Sequence, residues 1–455
     1  MICQLTQMSP SDVYSCSSTH SMSRKQGPCG SESEEMSAAI AVLTQQLIKP
    51  KSVLLSYEPD TYEFEFDSDE PPWDENTVQD RENNTLPQIE GSLSLRLALT
   101  QLCTEFSDIF RTKVKPEPAL INPMQLEVKP SLWFTPANRN PGRAVSQPKR
   151  EEIKRQVELL LELNVIRSSQ ATAWSQVHLV PEPDTSWRFC IDYRRLNQAT
   201  QSMGWPIPNI PEMLRRIGEH RPRIFGKLDL TSGYHQAPLN ETSRAYTAFI
   251  CWMGLYEWLR VPMGPKTAPA HFQQAMATEV FTGLLYSILE LYMDDVLTWG
   301  KDDEEFLSRL RVLFQRLREK NITINPAKCN LGTASIEYTG HVLDHEDISF
   351  SREKICSAVN FPLPQTQKDL KSFIGLANYF HSHIPKASLL LHPLQEMVRE
   401  YKPKKILVWT NEKEDSFNKV CSAINNCPKL FFINNLYKIV LETDASKYGF
   451  GAYLY

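Results

Sequence analysis

Two adjacent acids, Asp294 and Asp295, lie in the middle of the most apolar stretch of the chain, which runs from Leu284 to Trp299. An ionised carboxylate is costly to bury unless a partner compensates its charge. Apolar, β-branched and aromatic residues on both sides of an acidic turn predict a β-hairpin, and a hairpin tip would hold both acids at the rim of a sheet. A divalent cation could reach them there. Taken alone, the pair fits ordinary turn aspartates about equally well, because Asp is a common turn residue.

A third acid favours the metal site. Asp229 ends the apolar segment that starts at Ile224, and Gly233 follows in the next turn, where the absence of a Cβ lets the backbone approach a ligand. Three carboxylates suit Mg²⁺, which takes oxygen ligands and completes its shell with water and phosphates. Two such ions can stabilise the attacking and leaving oxygens of a phosphoryl displacement. Because side chains alternate along a strand, we expect Asp294 to dominate coordination and Asp295 to assist.

Further motifs occur in a defined order around these acids. They are Trp187–Asn197, Leu228–Leu230 with Gly233–Gln236, Thr247–Phe249, Val261–Gly264 with Ala268–Gln273, Tyr292–Asp295, Lys328–Cys329 and Gly340–Val342. In this order they resemble the polymerase region of reverse transcriptases, most closely those of gypsy-type LTR retrotransposons. An ordered set is far more specific than one short motif. The resemblance runs from Glu105 to the C-terminus, about three quarters of the chain.

The resemblance implies an α+β, right-hand polymerase fold with fingers, palm and thumb. Its antiparallel palm sheet would pack on helices and be followed by a truncated RNase H-like α/β segment. The implied ranges are 1–94 for a disordered or loosely ordered acidic leader, 95–148 for an N-terminal helix and extended lead-in, 149–345 for fingers and palm, 346–404 for a thumb-like helical region, and 405–455 for a truncated RNase H-like domain.

The resemblance also assigns roles to residues. Asp229, Asp294 and Asp295 are implied as catalytic acids and, with the Leu230 carbonyl, as ligands of two Mg²⁺ ions. The implied nucleotide-binding residues are Arg188, Ser232, Gly233, Tyr234 and Met263. The implied primer and template contacts are Tyr292, Gly340 and His341. The planar, charged fork of Arg188 suits a triphosphate, and the ring of Tyr234 would exclude a 2′-hydroxyl, the group that distinguishes RNA from DNA.

Two departures from the family pattern concern the nucleotide site. Pro181–Asp184 stands where related chains carry a basic run, so a fingers lysine is missing. Met263 replaces an aromatic residue, and Lys266 nearby supplies some positive charge. Losing one charge-assisted phosphate contact would weaken nucleotide binding by roughly 1.5–3 kcal/mol.

The C-terminal residues Val440–Ser446, followed by Gly449 and Gly451, resemble the first strand of an RNase H domain. Asp444 would be a vestigial first metal ligand. Such a site needs further carboxylates from later strands and a helix, and the sequence ends at Tyr455. We therefore expect this chain to lack RNase H activity.

Two functions of different class remain. The first is an RNA-directed DNA polymerase of a retrotransposon, which extends a DNA or RNA primer on an RNA template with dNTPs by two-metal phosphoryl transfer. The alternative is a decayed or co-opted retroelement protein that keeps the fold and binds nucleic acid without catalysis. The expected partners are template, primer and dNTPs, with a second copy of the chain or other Pol polyprotein segments as further partners, and no membrane.

Composition agrees with these functions. The net charge is −5, but the segment from Glu58 to Glu82 carries eleven acidic residues and one basic residue, which leaves the rest of the chain at +5. The ten cysteines include no Cys-x-x-Cys pair, which argues against a zinc knuckle and for reduced thiols. No secretory h-region and no apolar run of transmembrane length occurs. We therefore expect an intracellular protein, cytoplasmic and particle-associated or nuclear, that is not secreted.

Periodicity predicts the main helices. Apolar residues at helical spacing predict helices over 95–110, 150–163 and 302–320. In the last of these the predicted buried stripe is Phe306, Leu310, Leu313 and Leu317. Thr366 and Asp369 form a capping-box signature for a helix that runs to Tyr379.

Overall fold

The structure is a computed structural model that describes residues 2–4, 86–181, 187–384, 386–400, 406–432, 438, 440–446 and 449–454. For 2–4, 442–446 and 449–454 it describes the backbone alone. The helices in these ranges are α1 (Leu93–Glu105), α2 (Pro130–Trp133), α3 (Gln147–Glu162), α4 (Arg194–Ala199), α5 (Ile210–Glu219), α6 (Gly233–Gln236), α7 (Glu241–Arg244), α8 (Ala268–Ala275), α9 (Asp303–Glu319), α10 (Arg352–Val359), α11 (Gln367–Tyr379), α12 (Ala387–Glu400) and α13 (Asn411–Asn425).

The strands form three larger sheets and one hairpin within the described ranges. They are β1 (Ile2–Gln4), β2 (Gln88–Ile89), β3 (Ile166–Ser168), β4 (Ser175–Pro181), β5 (Trp187–Ile191), β6 (Ile224–Asp229), β7 (Phe249–Cys251), β8 (Gly254–Trp258), β9 (Leu289–Tyr292), β10 (Asp295–Gly300), β11 (Asn330–Thr333), β12 (Ile336–Tyr338), β13 (His341–Leu343), β14 (Asp347–Phe350), β15 (Leu430–Phe432), β16 (Leu441–Ser446) and β17 (Gly449–Leu454). Short 3₁₀ turns are Ser107–Ile109, Pro136–Arg139, Ala245–Thr247, Pro326–Lys328 and His381–His383, and a π-helical turn, Met276–Val280, continues α8.

The central sheet has the strand order β2-β11-β6-β10-β9. Its pairs are antiparallel except at the edge, where β2 runs parallel to β11. This edge corrects the predicted loosely ordered leader at Gln88–Ile89, because Ile89 pairs with Leu331 and packs against the main core. A second correction is β1, which pairs with β15. Other residues of that leader, up to 85, lie outside the described residues.

Helices cover both faces of the central sheet. On one face Phe306 of α9 lies against glycines of two strands, so that a Cβ on Gly300 would lie 2.7 Å from the Phe306 Cβ and one on Gly226 would lie 3.0 Å from its ring. On the other face α5 packs through Met213 and Ile217 against Trp299. The absence of side chains at Gly226 and Gly300 therefore lets α9 approach the central sheet closely.

The long helix α9 follows the sequence prediction. The Asp302 side chain accepts a hydrogen bond from the Glu305 N–H at 2.9 Å and caps the first turn. Acidic residues in the first turn and arginines in the last turn complement the helix dipole. The predicted stripe is fully buried, with Phe306, Leu310, Leu313 and Leu317 each at 0% exposure.

Two further sheets are present, and their strands interleave in sequence with those of the central sheet. The N-terminal sheet has the order β3-β8-β7-β4-β5, with β4 parallel to β7 and the other pairs antiparallel. The connecting sheet has the order β1-β15-β14-β13-β12 and is antiparallel throughout. It meets α5 at Gly218, where an added Cβ would lie 1.9 Å from the Phe432 ring, so no larger residue fits there without movement.

The helical cluster, α10 to α13, forms a hydrophobic core of its own. Helix α11 has the predicted capping box: the Thr366 side chain accepts from the Asp369 N–H, and the Asp369 carboxylate accepts from the Thr366 N–H at 2.8 Å. Phe417 of α13 packs against Phe373 of α11 with 4.5 Å between the tilted rings' centroids. This packing joins α13 to the other helices of the cluster, although the sequence prediction assigned 405–455 to a separate domain.

The helices of the described ranges include none that is long and apolar enough to cross a membrane.

Candidate active site

The predicted acidic hairpin is present. Strands β9 and β10 pair Tyr292 with Asp295, which leaves Met293 and Asp294 as a two-residue turn. Met293 has a φ of +53°, and a positive φ at this position is typical of tight hairpins. Glycine usually takes this conformation, and an L-residue such as methionine does so at a cost of roughly 1–2 kcal/mol. The turn therefore needs support from its surroundings.

The strand that ends on Asp229 lies next to this hairpin. Asp229 is directly opposite Asp295 in the β6–β10 register. The Leu230 N–H donates to the Asp294 carbonyl at 3.2 Å, and Leu230 itself is buried. The backbone segments that carry the three acids are therefore neighbours in one sheet, although some 65 residues separate them in sequence.

Gly233 is shaped to the carboxylate of Asp294. A Cβ added to Gly233 would lie 2.4 Å from Asp294 Oδ1 and 3.0 Å from Phe272 Cζ. Oδ1 itself is shielded from solvent. The preceding residue, Ser232, has a φ of +44° and starts α6. Sequence reasoning expected the glycine to make room for a ligand, whereas the space is taken by an aspartate of the protein.

Two lysines face the acids on either side. Lys227 Nζ lies 3.1 Å from Asp295 Oδ1, and Lys328 Nζ lies 3.8 Å from Asp229 Oδ2. Lys227 and Asp229 are two residues apart in β6, so both side chains lie on the same face of the sheet as Asp295.

The donor atoms suit magnesium. Asp229 and Asp294 offer carboxylate oxygens, and Mg²⁺ keeps several waters and takes substrate phosphates, so it needs few protein ligands. Within the ranges that the structure describes, no three or more His, Cys, Asp or Glu side chains form a group able to hold a metal ion. Binding of two Mg²⁺ ions by the three acids stays a prediction.

A buried thiol lies behind Asp229. The Asp229 N–H donates to Cys329 Sγ at 3.5 Å. Burial raises the pKa of the Cys329 thiol to about 12, so the thiol is neutral at physiological pH. It adds no negative charge beside the acids.

The predicted nucleotide-binding residues fall into three places. Tyr234 lies in α6, one residue after Gly233, with its ring 5.1 Å from that of Phe272. Met263 is 58% exposed in the loop before α8. Arg188 is exposed on β5 of the N-terminal sheet, so it belongs to a different sheet from the acids.

Asn197, which the sequence prediction did not assign to the site, holds the Met263 loop. Its Nδ2 donates to the Gly264 carbonyl at 3.0 Å, and its Oδ1 accepts from the Lys266 N–H at 2.8 Å. The sequence feature that could have identified Asn197 is its place as a polar residue at the end of the Trp187–Asn197 motif.

The predicted primer contacts surround a second tight turn. Thr339 and Gly340 both have positive φ, +50° and +77°, between β12 and β13. Tyr379 Oη of α11 donates to the Thr339 carbonyl at 3.1 Å. A Cβ on Gly340 would lie 2.3 Å from the same Tyr379 Oη. Tyr338 Oη donates to the Asp295 carbonyl at 3.4 Å. This turn therefore contacts both the helical cluster and the acidic hairpin.

His341 and Tyr292 are less accessible than a direct nucleic-acid contact suggests. The His341 ring is 9% exposed and lies 4.9 Å from Phe350 and 5.4 Å from Tyr379. Tyr292 is half-buried beside the core between α5 and the central sheet. Their roles as primer or template contacts stay predictions.

Asp444 lies in β16, opposite Gly451 of β17. The two strands form a separate hairpin. The Asp444 side chain lies outside the described residues, so its vestigial ligand role stays a prediction.

Comparison with known proteins agrees with this geometry. Residues 180–343 match the family described as "Reverse transcriptase (RNA-dependent DNA polymerase)". The chain is 30% identical over 388 residues to the Transposon Tf2-3 polyprotein of Schizosaccharomyces pombe, which covers 84% of this chain and 28% of that polyprotein. It is 32% identical over 308 residues to the retrovirus-related Pol polyprotein from transposon 297 of Drosophila melanogaster, which covers 67% of this chain and 29% of the relative. The chain thus spans less than a third of these relatives.

Solved structures share the fold. A foamy viral protease-reverse transcriptase in complex with double-stranded DNA superimposes with a TM-score of 0.69 at 21% identity, over 80% of this chain and 65% of that one. A foamy viral protease-reverse transcriptase in complex with an RNA/DNA hybrid gives a TM-score of 0.66 at 20% identity, over 80% of this chain and 50% of that one. The predicted α+β polymerase fold is confirmed. Residues 180–343 therefore belong to the reverse transcriptase family, in a chain related to the Pol polyproteins of LTR retrotransposons, gypsy-type elements among them.

Proposed function

We propose that the chain is an RNA-directed DNA polymerase that extends a DNA or RNA primer with dNTPs on an RNA template. The observation that supports this most is the Asp294 carboxylate held against Gly233, beside the end of the strand that carries Asp229. A carboxylate kept in one orientation next to a second acid is useful at a phosphoryl-transfer site. At a plain hairpin tip it would bring no advantage.

The proposed reaction joins the primer to the α-phosphate of a dNTP. The primer 3′-oxygen forms a bond to that phosphorus, the bond to pyrophosphate breaks, and the hydroxyl proton passes to solvent. Two Mg²⁺ ions bound to these acids would supply stabilisation of charge on the attacking and leaving oxygens. The protein contributes position and electrostatics: Asp229 holds its oxygens at the end of β6, Asp294 holds its oxygens in the adjacent β9–β10 turn, and Tyr234 borders the sugar.

The domain assignment follows from this proposal. The central sheet would be the palm, the N-terminal sheet the fingers, and the helical cluster the thumb, with its end near Asn425 of α13 instead of 404. Nucleic acid as a partner is supported by the solved relatives, which were bound to double-stranded DNA and to an RNA/DNA hybrid.

Primer extension with the Asp294→Asn variant tests the function. We expect the wild type to incorporate dNTPs on a primed RNA template with Mg²⁺, and the variant to lose at least about a thousand-fold in rate, because a neutral amide holds a divalent cation poorly. Glu304→Gln, an exposed acid in the first turn of α9, is the matched control and should keep wild-type activity. Equal product from wild type and Asp294→Asn would contradict the enzyme assignment.

One observation favours the alternative of a decayed or co-opted protein. Acidic Glu182 and Asp184 stand where the family resemblance implies a basic run. If the wild type binds primed template but does not incorporate dNTPs, the alternative is correct. A preference for ribonucleotides by an active enzyme would instead contradict the role of Tyr234.

A further inference from the structure

The side chain of Gln273 is buried and contacts the acidic hairpin at two points. Its Oε1 accepts from the Met293 N–H at 2.8 Å, and its Nε2 donates to the Leu291 carbonyl at 3.3 Å. The residue is only 2% exposed. Both ends of its amide group are therefore used on the backbone of one hairpin, out of reach of competing water.

The hydrogen bond to the Gln273 oxygen is made by the strained residue of the hairpin, Met293. Met293 has a φ of +53° in a two-residue turn. Its N–H points towards α8, and a buried N–H without an acceptor costs about 1–3 kcal/mol. The Gln273 oxygen supplies that acceptor to Met293 in its left-handed conformation. The hydrogen bond therefore favours the strained turn over relaxed alternatives.

The same end of α8 also reaches the segment after Asp229. Phe272, the neighbour of Gln273, places its ring at the Gly233 side of Asp294, with Cζ 3.0 Å from the position of a Gly233 Cβ. Two successive residues of one helix thus contact the hairpin that carries Asp294 and the turn that follows Asp229. Because α8 is packed in the main core, it provides a rigid reference for both.

We propose that Gln273 is a positioning residue for catalysis: its side-chain amide holds the Met293 turn so that the Asp294 carboxylate stays against Gly233. This inference rests on the proposed polymerase function for its kinetic consequence but not for its structural one. Gln273 touches neither substrate nor metal in this role and acts through the backbone of the hairpin.

The kinetic test uses Gln273→Met, which keeps the length of the side chain and removes both hydrogen bonds. We expect kcat for RNA-templated dNTP incorporation to fall about ten-fold or more, equivalent to the loss of about 1.4 kcal/mol of transition-state stabilisation. KM for the dNTP should change little, and the Mg²⁺ concentration for half-maximal rate should rise. Gln273→Glu keeps an acceptor for Met293 and should retain a larger share of kcat. Gln274→Met, one residue along α8, should behave as the wild type.

A second readout does not depend on activity. Hydrogen exchange of the Met293 amide, followed by NMR, should be slow in the wild type and in Gln273→Glu, and faster by at least about ten-fold in Gln273→Met, because an amide exchanges when its hydrogen bond opens. Thermal unfolding of each variant establishes that it is folded. An inactive wild type with this exchange pattern would overturn the proposed function and support the structural role of Gln273.

Two outcomes would overturn the inference itself. One is unchanged Met293 exchange in folded Gln273→Met. The other is an active wild type in which Gln273→Met and Gln274→Met share the same kcat and the same Mg²⁺ dependence. If Gln273→Met does not fold, Gln273→Glu decides: fast exchange at Met293 in that variant contradicts the proposed contact.

Discussion

Asp294 and Gly233 approach so closely that the residue types at both positions are coupled. An added methyl group at Gly233 would meet Oδ1 of Asp294 at 2.4 Å, well inside the normal contact distance. The Phe272 ring also lies close, with Cζ 3.0 Å from the added methyl group, so two side chains would have to move to accommodate it. At the residue scale, the site therefore depends on the absence of a side chain as much as on the acids.

The Gly233→Ala variant tests this dependence. We expect it to lose at least about a hundred-fold in primer-extension rate, because Asp294 must turn away, with a decrease of about 1–3 kcal/mol in the free energy of unfolding from overpacking. The rate is measured with Mg²⁺ on a primed RNA template, and stability by urea unfolding.

Gly375→Ala is the control for that variant. Gly375 lies inside α11, and a Cβ there meets nothing within 4 Å. Alanine is the better helix former by about 1 kcal/mol, so this variant should be slightly more stable and fully active. Full activity in folded Gly233→Ala would contradict the tight contact with Asp294.

At the scale of elements, an aromatic group joins the connecting sheet to the helical cluster. Phe350 of β14 lies 4.3 Å from the His383 ring, 4.5 Å from Phe380 and 4.9 Å from His341, measured between ring centroids. His383 Nδ1 is 3.0 Å from the Pro428 carbonyl, which links this group to the segment before β15. The junction is thus apolar but contains two titratable rings.

Burial makes this junction sensitive to acid. Burial lowers the pKa of His383 from its ordinary 6.5 to about 4, with His341 nearby acting in the same direction and the Pro428 carbonyl against it. Between these values the unfolded chain binds a proton that the folded chain does not. The free energy of unfolding should therefore fall by up to roughly 3 kcal/mol as pH decreases from 6.5 to 4.

Urea unfolding of the wild type and of His383→Gln at pH 7, 6 and 5 measures this contribution. We expect the wild type to lose more stability than the variant over this range, since glutamine does not titrate. The ring of His383 is 3% exposed, so solvent does not screen the effect. Parallel pH profiles for the two proteins would rule out the buried, neutral histidine.

At the scale of the whole molecule, α13 determines where the helical cluster ends. Phe417, Val420 and Ile424 of α13 are part of its core. Trp409, just before α13, donates to the Pro364 carbonyl at 2.8 Å and lies 5.9 Å from Phe417. The described residues between Pro364 and Ile424 thus form one packed body.

The Phe417→Ala variant tests the extent of this body. We expect its free energy of unfolding to fall by about 3–5 kcal/mol, because Phe417 is 6% exposed and its removal leaves a cavity against Phe373. Leu389→Ala, at a position that is 71% exposed on α12, should change stability by less than about 0.5 kcal/mol. Urea unfolding of both variants provides the comparison, and equal effects would place α13 outside the cluster.

The sequence alone was sufficient for features whose causes are local. The hairpin around Asp294, the capping box at Thr366 and the stripe of α9 each follow from side chains within a few residues of one another. The polymerase fold followed from the order of the motifs. The position of Asp229 beside Asp294 was also predicted. Both acids follow apolar, strand-like segments, and the family resemblance places these segments in one sheet.

Tertiary structure alone decided how the acids are held. The contact of Gly233 with Asp294, the hydrogen bonds between Gln273 and the hairpin backbone, and the ion pair of Lys227 with Asp295 each join segments that are distant in sequence. Periodicity and capping carry no information about such pairs, because their energies depend on packing between elements and not on local conformation. For the same reason the place of α13 in the helical cluster emerged only from the folded chain.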